Sequence, residues 1–223
     1  MSRKFSLAIL VFDGYSQLDF TAVSIAFKRL GVAEIRVVGE SPGIVTSDLG
    51  LSFEVTQSIH DLNQVDAVFI PGGDGIFELL NHTELIAKLE ELAANSKYTY
   101  SNGTGSFLLA ATGLLNGKRA ATHWAYSDLM TEFEVFPVFD QYVLEDQIIT
   151  GAGAGAAMDM TLLLISQLFG RPHAEYVQLS LEYVPSPPFD SGTIRTADPK
   201  VAMEIRSSAN AVAARKIREF KQK

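Results

Sequence analysis

Lys97-Tyr98-Thr99-Tyr100-Ser101-Asn102-Gly103-Thr104-Gly105-Ser106-Phe107-Leu108-Leu109 is the stretch that decides the fold. Tyr98 to Ser101 reads as a buried strand, rich in aromatic and β-branched residues. Thr104 to Leu115 reads as a helix with an apolar face. Only Asn102-Gly103-Thr104-Gly105 lies between, which leaves no room for a loop. A strand that becomes a helix within about two residues forces its central residue into a strained backbone conformation. That residue stands at the carboxyl edge of a sheet and at a helix N-terminus, where free N–H groups favour negative charge. A nucleophile elbow puts its serine or cysteine there. Here the pivot is Gly103, so the frame of a nucleophilic site is present without the nucleophile.

The sequence around this stretch alternates between strand and helix. Ser6 to Phe12 is nearly all apolar, as in a strand buried on both faces of a parallel sheet. Asp13 to Ser16 turns into a helix from Gln17 to about Leu30, closed by Gly31. Glu34 to Gly39 is a second strand, and Ile44 to Thr56 reads as a hairpin-like excursion. Ser58 to Leu62 suggests one helical turn. Ala67 to Ile70 is a further buried strand with Pro71-Gly72-Gly73 directly after it. Thr83 to Ala94 is an amphipathic helix. Beyond the elbow come a short strand at Arg119–Thr122, a helix at 123–132 and extended pieces at 135–138, 141–144 and 148–150. Helices are expected at Met158–Phe169, from Arg171 to about Tyr183, and after Asp198-Pro199, an N-cap followed by a first helical proline. The expected fold is a single α/β domain over 1–223, a mostly parallel sheet with helices on both faces.

The bulk composition excludes several functions. The chain carries 18 Lys+Arg against 26 Asp+Glu, a net charge of −8, which argues against nucleic-acid binding and against acidic membranes. It has no cysteine, hence no disulfide, no thiolate metal site and no thiol nucleophile. No apolar run reaches the length of a membrane span. Met1-Ser2-Arg3-Lys4 leads straight into a strand without a small-residue cleavage site, so the expectation is a cytoplasmic chain without a signal peptide. The four histidines show no metal-ligand spacing, and neither a metal nor a cofactor is expected.

Several residues have both a structural and a functional reading. Asp19 is either a first-turn carboxylate of its helix or an acid facing the strand edge. Gly72-Gly73 is either a tight turn or a source of outward N–H groups for an oxyanion pocket. Thr104 offers a hydroxyl but is expected to cap the elbow helix. Ser101 and Ser106 flank the pivot without its exposure. His123 follows a strand and is the best histidine for a site, although its neighbour Trp124 gives a structural role equal weight. Gly151-Ala152-Gly153-Ala154-Gly155 has the wrong spacing for a dinucleotide fingerprint. Its small residues are better read as allowing close approach to the elbow.

Leu7 to Phe12, Gln17-Leu18-Asp19, Ile70-Pro71-Gly72-Gly73, the elbow, Ala121-Thr122-His123-Trp124-Ala125-Tyr126 and Gln178-Leu179-Ser180-Leu181-Glu182-Tyr183 together resemble the ThiJ/PfpI superfamily. The resemblance implies a flavodoxin-like, class I glutamine amidotransferase-like fold and covers nearly the whole chain. Thr122 to Tyr126 and Leu181-Glu182-Tyr183, before the Pro-Pro-Phe segment, are similar to the isocyanide (isonitrile) hydratase branch. That branch implies an elbow cysteine at the position of Gly103 and a proton-handling acid matching Asp19. It also implies N–H groups matching Gly73 and Thr104 that hold developing charge. Gly72, His123 and Gly153 complete the expected ligand-binding set, with an isocyanide as candidate ligand. The resemblance further implies a homodimer with active sites near its interface.

The departure at Gly103 shapes the functional expectation. A soft thiolate suits attack on an isocyanide carbon, and glycine cannot replace it. One expectation is a hydratase-like protein whose activity is absent or strongly impaired. The alternative is a non-catalytic pseudoenzyme that binds a small molecule in the same pocket as a sensor or carrier. A third is non-covalent hydration, with Asp19 activating water as a general base.

Overall fold

The structure is a computed structural model that describes residues 4–222; Met1-Ser2-Arg3, where a leader was weighed, and Lys223 lie outside the described residues. β1 (Phe5–Leu10) is buried along its whole length. It lies inside the sheet, pairing in parallel with β2 (Ala33–Val38) and with β5 (Ala67–Ile70), and it can be so apolar because helices cover both faces of that sheet. β6 (Tyr98–Asn102) pairs in parallel with β5 and with β10 (Ile148–Gly151), and β9 (Tyr142–Glu145) closes the edge antiparallel to β10. The sheet order is therefore β2-β1-β5-β6-β10-β9. The expected mostly parallel sheet is found, and the apolar run at 67–70 and the aromatic and β-branched stretch at 98–101 are its centre.

Two small two-stranded sheets sit outside it. β3 (Gly43–Thr46) and β4 (Ser52–Val55) form the hairpin excursion, and β7 (Arg119–Ala121) pairs with β8 (Phe136–Val138). A 3₁₀ turn at Ile59–Asp61 is capped by Ser58.

Helices cover both faces. On one side α1 (Gln17–Leu30) packs against α5 (Ala154–Phe169) and α6 (Arg171–Ser180). On the other, α3 (Thr83–Asn95) and α4 (Gly105–Ala111) lie over β5 and β6. α1 ends as expected, with Gly31 in the left-handed region at φ 75°. A short helix α2 (Ile76–Leu79), not anticipated, buries Ile76, Phe77 and Leu79 beside α4. α7 (Pro199–Lys221) is capped by Asp198, whose carboxylate accepts from the Lys200 and Val201 amides. Among the described residues no helix is long and apolar enough to cross a membrane.

Three element boundaries and one helix type differ from expectation. α5 starts at Ala154 rather than Met158, because the small residues after Gly153 form its first turn without an apolar periodicity to mark it. α4 stops at Ala111, before Gly113 at φ 80°. α6 stops at Ser180 rather than Tyr183, with Glu182 at φ 48°. Trp124–Phe133 is 3₁₀ rather than regular helix.

Candidate functional site

The strand order reverses between β1 and β5, and the loops leaving their carboxyl ends meet there. The Ser16 amide donates to the Gly72 carbonyl at 2.7 Å, and Tyr15 bridges to Gly73. This brings the start of α1 and the Pro71-Gly72-Gly73 turn against the end of β6, where the elbow stands.

Gly103 is the pivot, at φ 52° between β6 and α4. Its conformation is held from both sides. Its N–H donates to the Gly151 carbonyl at 2.9 Å. Its carbonyl accepts from the Ser106 hydroxyl at 2.8 Å and from the Thr122 hydroxyl at 2.9 Å. Ser101 and Ser106 are fully buried, which agrees with their lack of a nucleophile's exposure. A Cβ on Gly103 would meet nothing nearer than the Ala152 carbonyl oxygen and the Gly72 Cα, both at 3.9 Å. A Cβ fits at the pivot without displacing anything, at the cost of a left-handed backbone.

Asp19 belongs to the first turn of α1, but Ser16 is the cap: its hydroxyl accepts from the Asp19 amide at 3.4 Å. The Asp19 carboxyl turns inward and is 3 % exposed. Oδ2 accepts from the Gly72 N–H at 2.9 Å, and Oδ1 accepts from the Asn102 Nδ2 at 2.8 Å. Burial raises the Asp19 pKa above its ordinary value, the donors from Gly72, Asn102 and Ser16 pull it back, and Asp48 adds to the rise. The reading of Asp19 as an acid facing the strand edge is the one the geometry supports.

Two expectations are corrected. The Gly72 and Gly73 amides do not point outward as oxyanion donors, because both are already engaged. Gly72 N–H holds Asp19, and Gly73 N–H donates to Thr104 Oγ1 at 2.8 Å. Thr104, in turn, makes no side-chain cap for α4; its hydroxyl donates back to the Gly73 carbonyl at 2.8 Å. The Gly-Gly turn therefore buttresses the elbow and the acid. Its second glycine is needed for close approach, since at φ 129° a Cβ there would overlap the Gly14–Ser16 backbone. Among the described residues the Thr104 amide has no acceptor.

A cavity of about 570 Å³ opens over the pivot. Asp19, Gly72, Gly73, Gly103, Thr104, His123 and Gly153 all line it, so the expected catalytic and ligand-binding set converges here, while Ser101 and Ser106 stay outside it. His123 Nδ1 accepts from the Ala125 amide at 3.3 Å, and burial lowers the pKa of its imidazole, which favours the neutral ring. Tyr126 donates to Asp74 Oδ1 at 3.4 Å, and burial followed by the Asp74 charge pushes its hydroxyl up to about 12.

Sequence reasoning missed the far wall and Asn102. Ile205, Ser208, Ala209, Val212 and Ala213 of α7 line the cavity. The helix is fastened over the site by Arg206, which bonds Asp128 at 3.0 Å and the Trp124 carbonyl at 3.3 Å, and by Lys216 on Glu78 at 2.6 Å. Asn102 bridges Asp19 to the Gly153 carbonyl (3.0 Å), while its buried Oδ1 has no donor among the described residues. An orphaned buried acceptor costs about 1–3 kcal/mol, so the amide is held against a stability penalty. Its place directly before the pivot was the available signal.

A strained strand-to-helix pivot, a buried acid beside it and a cavity at the switch point of a parallel sheet define an α/β protein with the frame of a nucleophile-elbow site. Comparison with known proteins narrows this class. The DJ-1/PfpI family profile matches residues 5–167, and the chain belongs to that family. It is 38 % identical over 203 residues to the isonitrile hydratase of Pseudomonas putida, covering 91 % of this chain and 89 % of that protein. It is 31 % identical over 196 residues to the HTH-type transcriptional regulator CdhR of Pseudomonas aeruginosa, covering 82 % of this chain and 55 % of the regulator. The crystal structure of a ThiJ/PfpI family protein from Pseudomonas syringae superposes with a TM-score of 0.90 at 32 % identity, over 99 % of this chain and 91 % of that one.

Proposed function

We propose that the chain carries an isocyanide-hydratase-like site that takes a small molecule, with hydration absent or strongly impaired because Gly103 has no thiol. Support comes from the likeness to an isonitrile hydratase along nine-tenths of the chain. The observation that carries the reading is the open pivot: a Cβ at 103 is free of close contacts, one residue from an amide bonded to a buried acid.

In this reading a thiol at 103 adds across the isocyanide carbon. The new C–S bond forms as the thiol proton passes through Asp19 to that carbon, giving a thioimidate. Water then adds to the same carbon, the C–S bond breaks, and the thiol is regenerated as the N-substituted formamide leaves. Without sulfur neither half proceeds, and deletion of a nucleophile costs several powers of ten in rate. The test is turnover of a simple aryl isocyanide by the chain and by Gly103→Cys, with formamide quantified by chromatography. Formamide from Gly103→Cys alone supports the reading; none from either protein sinks it.

A second reading is favoured by one finding, the 31 % identity to a transcriptional regulator that is longer than this chain. Here the same cavity binds a ligand without turning it over, and native mass spectrometry of freshly purified protein tests it through a retained small molecule. In either reading two copies associate in the cytoplasm. Leu18, Leu49 and Leu51 are exposed, and Asp19 and Asp48, which directly adjoin Leu18 and Leu49 in the chain, line the cavity, so this apolar surface suits a second copy. Light scattering that gives a monomer mass would remove that part.

A further inference from the structure

Asn102 has two ends in different circumstances. Its Nδ2 faces two acceptors, Asp19 Oδ1 at 2.8 Å and the Gly153 carbonyl at 3.0 Å. That convergence fixes the orientation of the amide, because the flipped form would set an oxygen against two oxygens. Its Oδ1 finds no donor among the described residues and lies over Gly151, where a Cβ would collide with it. Position 151 must therefore be glycine for Asn102 to sit there. The contacts of Nδ2 are what this arrangement secures.

Those contacts complete the surroundings of Asp19. One oxygen accepts from Gly72 and the other from Asn102. A carboxyl with an N–H aimed at each oxygen is favoured as the anion, since its own proton would have to displace one of those donors. Of the other groups around it, Gly72 and the Ser16 side chain push the same way, and the rest push the opposite way or not at all. Burial and Asp48, from the loop between β3 and β4, favour the neutral acid. Asp74, Tyr126 and His123 share the cavity, and His123 is held toward its neutral form. Gly72 donates from the backbone and Ser16 caps α1. Asn102 is the one side-chain donor to the carboxyl that has no cap to make.

We propose that Asn102 is a positioning residue that holds Asp19 as a hydrogen-bond-accepting carboxylate, so that a nucleophile at 103 meets a base and not a proton-donating acid. The inference rests on the elbow-and-acid reading of the site given above. With a thiol at 103, one proton is shared between sulfur and carboxyl. Asn102 biases it toward sulfur and leaves a weak nucleophile. Removal of the amide shifts that proton toward Asp19 and raises the thiolate fraction. Gly103→Cys alone is then an incomplete repair, and Gly103→Cys with Asn102→Leu is the fuller one.

The experiment follows the Asp19 carboxyl carbon by NMR in protein labelled with 13C-aspartate, for the unaltered chain, Asn102→Leu and Asn102→Val. Loss of one donor to the anion should raise the Asp19 midpoint by about one pH unit in either variant. In the Gly103→Cys background, thiolate absorbance near 240 nm should titrate at lower pH once the amide is gone, and kcat/KM for an aryl isocyanide should rise about tenfold at neutral pH. A purely structural Asn102 would change stability and leave both midpoints in place. Unmoved midpoints in folded variants overturn the proposal. If neither variant folds, the Asn102 side-chain NH2 resonances of the unaltered chain serve instead: they should move with the Asp19 midpoint, and indifference to it overturns the proposal. A shifted Asp19 midpoint without formamide in any background keeps this inference and sinks the hydratase reading. Formamide from Gly103→Cys with unmoved midpoints does the reverse.

Discussion

Gly103 and Gly105 are two residues apart, both at the elbow, and glycine for opposite reasons. A Cβ on Gly105 would lie 2.5 Å from the Ile70 carbonyl oxygen and 2.6 Å from that of Pro71. Here α4 presses directly onto the end of β5, and no side chain can be admitted. A Cβ on Gly103 would have 3.9 Å of clearance, and its only penalty is a backbone at φ 52°. One glycine is imposed by packing; the other leaves an unfilled place. The elbow's architecture is thus retained around a position where backbone conformation, and not packing, favours glycine.

This contrast can be broken in several places. The largest expected effect is catalytic: isocyanide turnover by Gly103→Cys should exceed that of the unaltered chain by several powers of ten, the scale of a nucleophile deletion. Equal rates would mean that the unfilled place has no bearing on the chemistry. Next comes Gly105→Ala, which should cost about 3 kcal/mol or more in urea unfolding, since the clash is with backbone. Gly103→Ala should cost only about 1–2 kcal/mol, the penalty of a left-handed non-glycine residue. If the two alanine variants lose the same stability, the pivot is closed and the contrast fails.

The smallest effect concerns pH. Burial holds the Asp19 carboxyl above its ordinary value of 3.8. In the window just above that value the folded chain keeps a proton that the unfolded chain has released. The stability Asp19 contributes is therefore full in acid and declines as pH rises through the raised midpoint. The unaltered chain should lose stability relative to Asp19→Asn as pH rises from about 4 through the raised midpoint, by about 1.4 kcal/mol for each unit of displacement. Urea titrations of both proteins across that range check it. A stability of the unaltered chain that rises with pH relative to Asp19→Asn contradicts it.

How much of this could be read from the sequence depended on the range of the interaction. Buried strands announced themselves, because residues 67–70 and 98–101 need apolar or β-branched side chains on both faces. The elbow was visible in four residues, since no loop fits between Ser101 and Gly105. His123 and Gly153 were legible as candidates because each follows the end of a strand, and Asp19 because it opens the helix that follows β1. What hid was the use of polar groups across the fold. Nothing in Pro71-Gly72-Gly73 says that both amides are spent on Asp19 and Thr104. Nothing local in Ile205 or Val212 says that a helix far along the chain from the pivot forms the opposite wall. Asn102 was visible as part of the elbow and had no task there, because the orphaned oxygen that marks it exists only once β10 and α5 are in place.

The central claim is geometric: position 103 points a side chain into the cavity beside the Asp19 carboxyl. A crystal structure of the Gly103→Cys variant tests it most directly. The account predicts an unchanged elbow with the introduced sulfur in the cavity, within about 3.5 Å of an Asp19 oxygen. A sulfur turned away from Asp19, or an elbow rearranged to accommodate the new side chain, would contradict it.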